Sequence, residues 1–472
     1  MTDRMTPQQR LVVTIAVLGS FVAFLDGTVV NVALPAIARE LGGGLSTQQW
    51  AVDAYLVTLG ALILVAGAAS DAYGRLLVLR IGLIGFGVAS VAVAAAPSIE
   101  LLIAARALQG VAGAFLVPSS LALITSTMAE PVRSRAIGLW TALTTGAMIV
   151  GPLLGGVIVD NLSWRWVFLI NVLPIGVALA LLPRLDTRDE RRPDARIDWI
   201  GAALCTAGLG LAVLALIELP TAAGGPATPW LWGSLGLGIL LFAGFVLRQR
   251  TASPPLLPLD LFRSGTFSAG NLATLFIYAA LSLNGFVVSV YLQQGAGLSA
   301  TLAGLASLPA TILVIALSSR IGILSGRLGP RLFMTVGPFV MAAGCLLLLL
   351  VGTDFDYWWQ VLPAMIILGL GLAITVSPLT AAILGSADPA RSGIASAVNN
   401  AVARVAGLLA IASLSAIIGG ALDLAGFHRV ALVTGALLVA GSVISAIGVR
   451  NPTRRAPRPP DGSGTGSRAL SD

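Results

Sequence analysis

Lysine is absent from this 472-residue chain, histidine occurs once, cysteine twice, and charged residues make up only 10% of it. Each scarcity removes a class of function. Soluble domains carry about 25% charged residues, so a surface bathed in water on every side is excluded. All 28 basic residues are arginine and lie between apolar runs, so the net charge of +7 does not describe a nucleic-acid-binding face. Cys205 and Cys345 fall inside apolar runs with no CxxC or CxxH spacing, which supports neither a disulfide framework nor a metal site. The single histidine, His428, sits at the end of an apolar run. No Ser-His-Asp, Walker A or GxGxxG arrangement accompanies it, so catalysis and direct use of ATP have no supporting residues. The chain is expected to be no enzyme and to hold no metal or cofactor.

What is present suits hydrocarbon. Hydrophobic residues are 57% of the chain and the mean hydropathy is +0.93. Mostly apolar runs of about 20 residues, long enough to cross a bilayer as helix, recur from end to end. Helices are expected at 11–37, 49–70, 77–96, 101–125, 136–159, 165–183 and 197–219. They continue at 230–247, 266–293, 302–325, 331–351, 360–384, 392–420 and 428–449, which makes about fourteen. This is an all-α integral membrane protein. The first run is too long for a signal-peptide core and has no small-residue cleavage site, so it is expected to remain as the first helix. An even number of spans puts both termini on one side. Loops sharing that side hold Arg75, Arg80, Arg133, Arg135, Arg184, Arg188, Arg191, Arg192, Arg196, Arg248, Arg250, Arg263, Arg327, Arg331 and Arg391. The opposite loops offer little beyond Arg39, Arg165 and Arg429. By the positive-inside rule both termini are cytoplasmic and the protein is multi-pass in the cell membrane.

The chain also repeats itself. Glu130-Pro131-Val132-Arg133-Ser134 follows the fourth run, and Asp388-Pro389-Ala390-Arg391-Ser392 follows the twelfth. Gly67, Asp71, Gly74 and Arg75 follow the second run as Gly322, Gly326, Arg327 and Gly329 follow the tenth, at nearly the same offset. Two six-helix halves with an inserted helix pair account for this. The division is residues 1–10 as cytoplasmic N-terminus, 11–183 as first bundle, 184–265 as linker with two extra helices, and 266–449 as second bundle. The Pro-, Gly- and Arg-rich residues 450–472 are expected to be a disordered tail able to touch anionic lipid. Duplicated halves around a central site are the usual build of secondary transporters.

The most informative residue is Asp26, in the middle of the first run. An acid at the centre of a membrane helix costs roughly 2.5–3.5 kcal/mol on insertion scales, and such residues face a protein interior or water and bind ions, protons or substrate. Burial favours its neutral form, which lets it take up a proton. Arg106, inside the fourth run, needs a partner for its guanidinium, whether an acid, an amide or a carbonyl. Asp53, near the outer end of the second run, reads either as a second titrating acid or as a solvated helix-end acid. Asn31, Gln109, Asn271, Tyr278, Asn284, Gln293, Asn399 and Asn400 are candidates to line a substrate cavity, although such residues more often hold helices together. Arg404, in mid-run after Asn399 and Asn400, is either a substrate contact or a tie to opposed carbonyls.

Five motifs in order carry a resemblance: LDGTVVNVALP at 25–35, GAASDAYGR at 67–75, RALQG at 106–110, GPLLGG at 151–156 and WRWVFLINVLP at 164–174. The chain resembles the major facilitator superfamily and, within it, the fourteen-spanner drug:H+ antiporters. The resemblance implies that Asp26, Asp53 and Arg106 take part in proton coupling. It also implies that Gly67, Asp71, Gly74 and Arg75 form a gate latch, and that Gly151, Pro152, Gly155 and Gly156 seal a helix seam against leak. Ala72, Leu76 and Ala147 depart from the family pattern and put the latch and the seal in question. The implied function is antiport of a small drug-like or amphipathic molecule against protons, driven by the gradient alone, by a monomer. Uptake by proton symport, or a sensor or scaffold that has lost transport, are the other readings.

Overall fold

Backbone that crosses hydrocarbon must satisfy its own N–H and C=O groups, and a helix does so within one segment. The computed structural model describes residues 5–129, 132–186, 197–388 and 391–451, and every regular element among the described residues is helical. The first elements are α1 (Pro7–Leu41), α2 (Gly44–Tyr73), α3 (Arg75–Ala94), α4 (Ile99–Thr127), α5 (Val132–Asn161), α6 (Trp164–Leu169) and α7 (Val172–Leu181). Then come α8 (Trp199–Glu218), α9 (Thr228–Arg248), α10 (Gly265–Gln294), α11 (Ala300–Ala306), α12 (Leu308–Leu328) and α13 (Pro330–Leu347). The last are α14 (Leu362–Gly385), α15 (Ser392–Ala412), α16 (Leu414–Ile418) and α17 (Leu424–Gly448). Fourteen spans are long and apolar enough to cross a membrane. The tail, Arg188, Arg191, Arg192 and Arg196, and parts of both Pro-Arg repeats lie outside the described residues.

Three expected helices are divided. The sixth run splits into α6 and α7 because Pro174 has no N–H to donate to the Ile170 carbonyl. Pro309, at the start of α12, has the same effect on the tenth run and leaves α11 as a separate turn. The thirteenth run breaks at Ser413, and α16 ends at Gly419, whose φ of +68° favours glycine.

The inserted helices α8 and α9 pack on each other, and Asp198 joins their ends. Its Oδ1 accepts from Gly201 N at 2.9 Å and Arg248 Nε at 2.7 Å, and its Oδ2 accepts from Gln249 Nε2 at 3.2 Å. Cys205 and Leu209 of α8 share an apolar cluster with Val57 and Ala61 of α2 and Leu408 of α15, so the pair leans on both halves. Near the start of α15, Arg391 Nη2 donates to Asp260 Oδ1 at 2.9 Å, and this bond holds the Asp260 carboxyl below the usual carboxylate range.

The two halves touch through α1 and α10, α2 and α15, and α5 and α11. The strongest contacts gather at the end of the bundle away from the N-terminus. There the Asp160 carboxylate, at the end of α5, accepts from Ala300 N at 3.0 Å and Thr301 N at 2.8 Å, capping α11 of the other half. The backbones are close because they carry no side chains: a Cβ on Gly156 would lie 2.6 Å from the Ala300 carbonyl oxygen, and one on Gly304 2.3 Å from that of Pro152. Ser289 Oγ donates to the Asn31 carbonyl at 3.1 Å, and Gln293 Nε2 to that of Val32 at 3.2 Å. Gln49 Nε2 donates to the Ile411 carbonyl of α15 at 2.6 Å. Toward the other end α12 leans on α14, and a Cβ on Gly138 or Gly146 of α5 would meet nothing. The bundle is thus closed at one end. Adding Gly304→Val should force that end apart. With Cys205 and Cys345 replaced by Ala, a Ser289→Cys reporter should then react several-fold faster with a membrane-impermeant maleimide. Unchanged labelling would mean that the glycine seam does not hold the closure.

Candidate functional site

Six elements of the first half converge on Asp26. Its carboxylate is fully buried, and Arg106 of α4, equally buried, donates from Nη1 to Oδ2 at 2.6 Å. Gln109 Nε2, one turn further along α4, donates to Oδ1 at 3.0 Å. Asn171, at the break between α6 and α7, donates from Nδ2 to the same oxygen at 3.2 Å. Further bonds hold the donors in place. Arg106 Nε donates to the Ala51 carbonyl of α2 at 2.8 Å, and Nη1 also to Gln109 Oε1 at 2.7 Å. Gln109 Nε2 reaches Ser90 Oγ of α3 at 2.9 Å. The guanidinium lies over the Tyr55 ring, 4.5 Å from its centroid, and faces Phe168 at 5.5 Å. Its Nη2 has no hydrogen-bond partner among the protein groups.

Helix packing puts Arg106 there. A Cβ on Gly110 would come within 2.2 Å of the Tyr55 carbonyl oxygen, so only glycine lets α4 lie this close to α2. Thr58 Oγ1 closes the contact by donating to the Ala107 carbonyl at 2.8 Å. A buried ion pair gains only if its remaining donors and acceptors are also met. Here amides and a backbone carbonyl supply most of them.

Asp53 is also fully buried, and neither carboxylate oxygen has a hydrogen-bond partner among the described residues. The solvated helix-end reading is therefore wrong. Gln49, one turn earlier on the same face, bonds a carbonyl of α15, so this face of α2 is covered by the second half.

Several cavity candidates prove to be engaged elsewhere. Gln109 belongs to the Asp26 network rather than to a cavity wall. Asn271 and Asn399 bind each other across α10 and α15 at 3.2 Å, and Asn399 also donates to Thr274 Oγ1 at 2.8 Å. Both join helices because an unpaired amide in this setting is costly. Gln293 is spent on the contact between halves, and Asn284 accepts from Cys345 Sγ at 3.8 Å. Asn31 lends its carbonyl to that contact while its side chain stays half-buried. Tyr278, Asn400 and Arg404 are half-buried with no such bond. At the near end, half-exposed Asp71 lies 3.8 Å from Arg75, its partner at the start of α3, rather than a residue of the other half. Gly74 between them has φ +101°, which demands glycine. Gly67 serves no close approach, since a Cβ there would meet nothing.

With this geometry, comparison with known proteins is decisive. Residues 16–411 match the model of the Major Facilitator Superfamily. The chain belongs to the Major Facilitator Superfamily. It is similar to the methylenomycin A resistance protein of Bacillus subtilis (strain 168), 34% identical over 412 residues covering 86% of this chain and 87% of that one. It is likewise similar to the puromycin resistance protein pur8 of Streptomyces alboniger, 36% identical over 406 residues, or 84% of this chain and 79% of the relative. The crystal structure of a peptide transporter, POT, in complex with sulfate has the same fold. Its TM-score is 0.70 at 17% identity, and the match covers 93% of this chain and 94% of that one.

In this superfamily member the helix-5 glycines divide their work. A Cβ on Gly151 would lie 2.3 Å from Thr28 Oγ1, and one on Gly155 2.5 Å from Val29 Cγ2, so both press α5 onto α1 just after Asp26. Gly156 turns instead to α11 of the second half. Pro152 sits within α5, and its carbonyl is the oxygen that Gly304 approaches.

Sequence reasoning missed Asn171, Ser90, Tyr55 and the Ala51 carbonyl. Only Asn171 carried a signal, as a lone amide three residues before a proline inside an apolar run. Replacing Arg106 by Leu leaves the buried carboxylate unpaired and should destabilise the protein by about 3–5 kcal/mol. Thermal unfolding in detergent checks this, and Arg106→Leu combined with Asp26→Leu should recover most of the loss. Equal stability of Arg106→Leu and the native protein would contradict the pairing.

Proposed function

We propose that this protein is a proton-coupled secondary transporter that exports a drug-like or amphipathic small molecule by antiport and alternating access, in the manner of the drug:H+ antiporters. The observation that carries the reading is the fully buried Asp26–Arg106 pair at the centre of the first half. A gradient-driven carrier needs a group that exchanges a proton and changes its partners when it does so. Protonation of Asp26 removes the charge that holds Arg106 Nη1, so the guanidinium must find another acceptor and the helices that present them can shift. Asp53 is the second candidate: an ionised carboxylate without a partner is costly in this setting, and a bound proton removes that cost. Export, rather than some other superfamily activity, is supported by relatives that bear the names of antibiotic resistance proteins.

Further parts of the reading go together. Residues 11–183 and 266–449 act as the two rocking bundles, with 184–265 inserted between them. Both termini lie in the cytoplasm, so the closed end faces outward. Asp71 and Arg75 act as the cytoplasmic latch, and the Gly151–Gly156 stretch keeps the seam tight as the halves rock. The protein works as a monomer embedded in the bilayer, takes no cofactor beyond the proton gradient and catalyses no covalent chemistry.

In proteoliposomes, addition of a transported compound should release protons, and Asp26→Asn should abolish that release while leaving equilibrium binding of the compound within a few-fold. Retained coupling in Asp26→Asn would remove the basis of the proposal. An acid-outside gradient separates export from uptake: antiport depletes the compound from the compartment that symport would load.

A further inference from the structure

Arg404 is a membrane-embedded cation without a counter-charge. It lies in the middle of α15, half-buried, and has neither an ion pair nor a hydrogen bond among the described residues. Asp53 does not serve it, since both of its oxygens are unpartnered. A guanidinium cannot shed its proton to escape the cost of its position, and an intramembrane one almost always faces a partner or a water-filled cavity. Arg106 shows how this chain treats a guanidinium it means to neutralise, with a carboxylate and two further acceptors.

The surroundings of Arg404 point the same way. Gly60 on α2 faces it, where a Cβ would meet Arg404 Cβ at 3.5 Å, so Arg404 stands at the seam between the two halves.

We propose that Arg404 is the anchor for an acidic group of the substrate, a carboxylate on an amphipathic organic molecule. This deepens the export reading above and rests on it for the direction of movement, but not for binding. The carboxylate would meet Arg404 on the second half while the proton is exchanged at Asp26 on the first.

The test uses the purified full-length protein and two fluorescent probes of equal shape, 9-anthracenecarboxylate and 9-anthracenecarboxamide. Equilibrium binding needs no gradient. The native protein should bind the acid roughly tenfold more tightly than the amide, as expected for a charge-assisted hydrogen bond. Arg404→Gln should erase that preference by weakening the acid alone, and Arg404→Lys should keep part of it. A native protein with no preference for the acid, whether it binds both probes or neither, overturns the proposal, as does an Arg404→Gln variant that keeps the preference. Acid preference without proton release in the transport assay would instead overturn the coupling reading and leave this site standing.

Discussion

Everything in the first half is arranged around one problem, a carboxylate and a guanidinium placed together in hydrocarbon. Neither Asp26 nor Arg106 is tolerable there alone. Together they remain costly unless the other lone pairs and protons are met; α2, α4 and the α6–α7 break each contribute a group that meets them, and Ser90 of α3 holds Gln109 in place. The requirement explains otherwise separate features of the chain. Gly110 brings α4 close enough to α2 for Arg106 to reach the Ala51 carbonyl. Pro174 opens the sixth span where Asn171 is needed. Gly151 and Gly155 let α5 press on the helix that carries the acid. In the proposed mechanism the site is stiff while the carboxylate is charged and loses its central tie on protonation, although Arg106 Nη2 has no partner among the described residues.

The second half solves a different problem. Its polar groups are mostly spent on holding helices to each other or to the first half: Asn271 with Asn399, Gln293 and Ser289 with α1, and Ser415 with Gln49 at 2.5 Å. Arg404, like Tyr278 and Asn400, is not so engaged among the described residues. An asymmetry follows in which one half carries the buried ion pair and the other carries a positive charge with no ion pair among the described residues. The contact between α5 and α11, where two glycines and the Asp160 cap bring backbone against backbone, joins the halves at one end only. Such contacts contribute through close packing and met donors rather than through burial of oily surface, because lipid tails are as apolar as leucine.

Architecture was legible in the sequence because the bilayer imposes a length and a polarity that no soluble fold shares; the fourteen spans and the importance of Asp26 and Arg106 followed from that alone. The partners were harder to read. Asn271, Asn399 and Gln293 look the same in sequence as an amide that would meet a ligand, since the cost of burying an amide is relieved equally by a neighbouring helix or by a substrate. Asp53 read either as a titrating acid or as an acid at a wet helix end, because linear distance from the loop says nothing of α15 lying across it. Asn171 was hidden inside an apolar run, and its role depends on a helix break that only Pro174 hinted at. The seam glycine Gly156 stood out in its motif, whereas Gly304, which makes the same kind of contact, is indistinguishable from other glycines without coordinates.

The central claim is that Asp26 itself exchanges the proton and gives up Arg106 when it does so. Infrared difference spectroscopy of the reconstituted protein between neutral and acidic pH reads this directly through the carbonyl stretch of a protonated carboxylic acid. The account predicts a band that grows on acidification, disappears in Asp26→Asn, and is accompanied by a change in guanidinium absorption that Arg106→Lys removes. A band unaffected by Asp26→Asn, or no protonated carboxyl at any pH at which the protein transports, would contradict it.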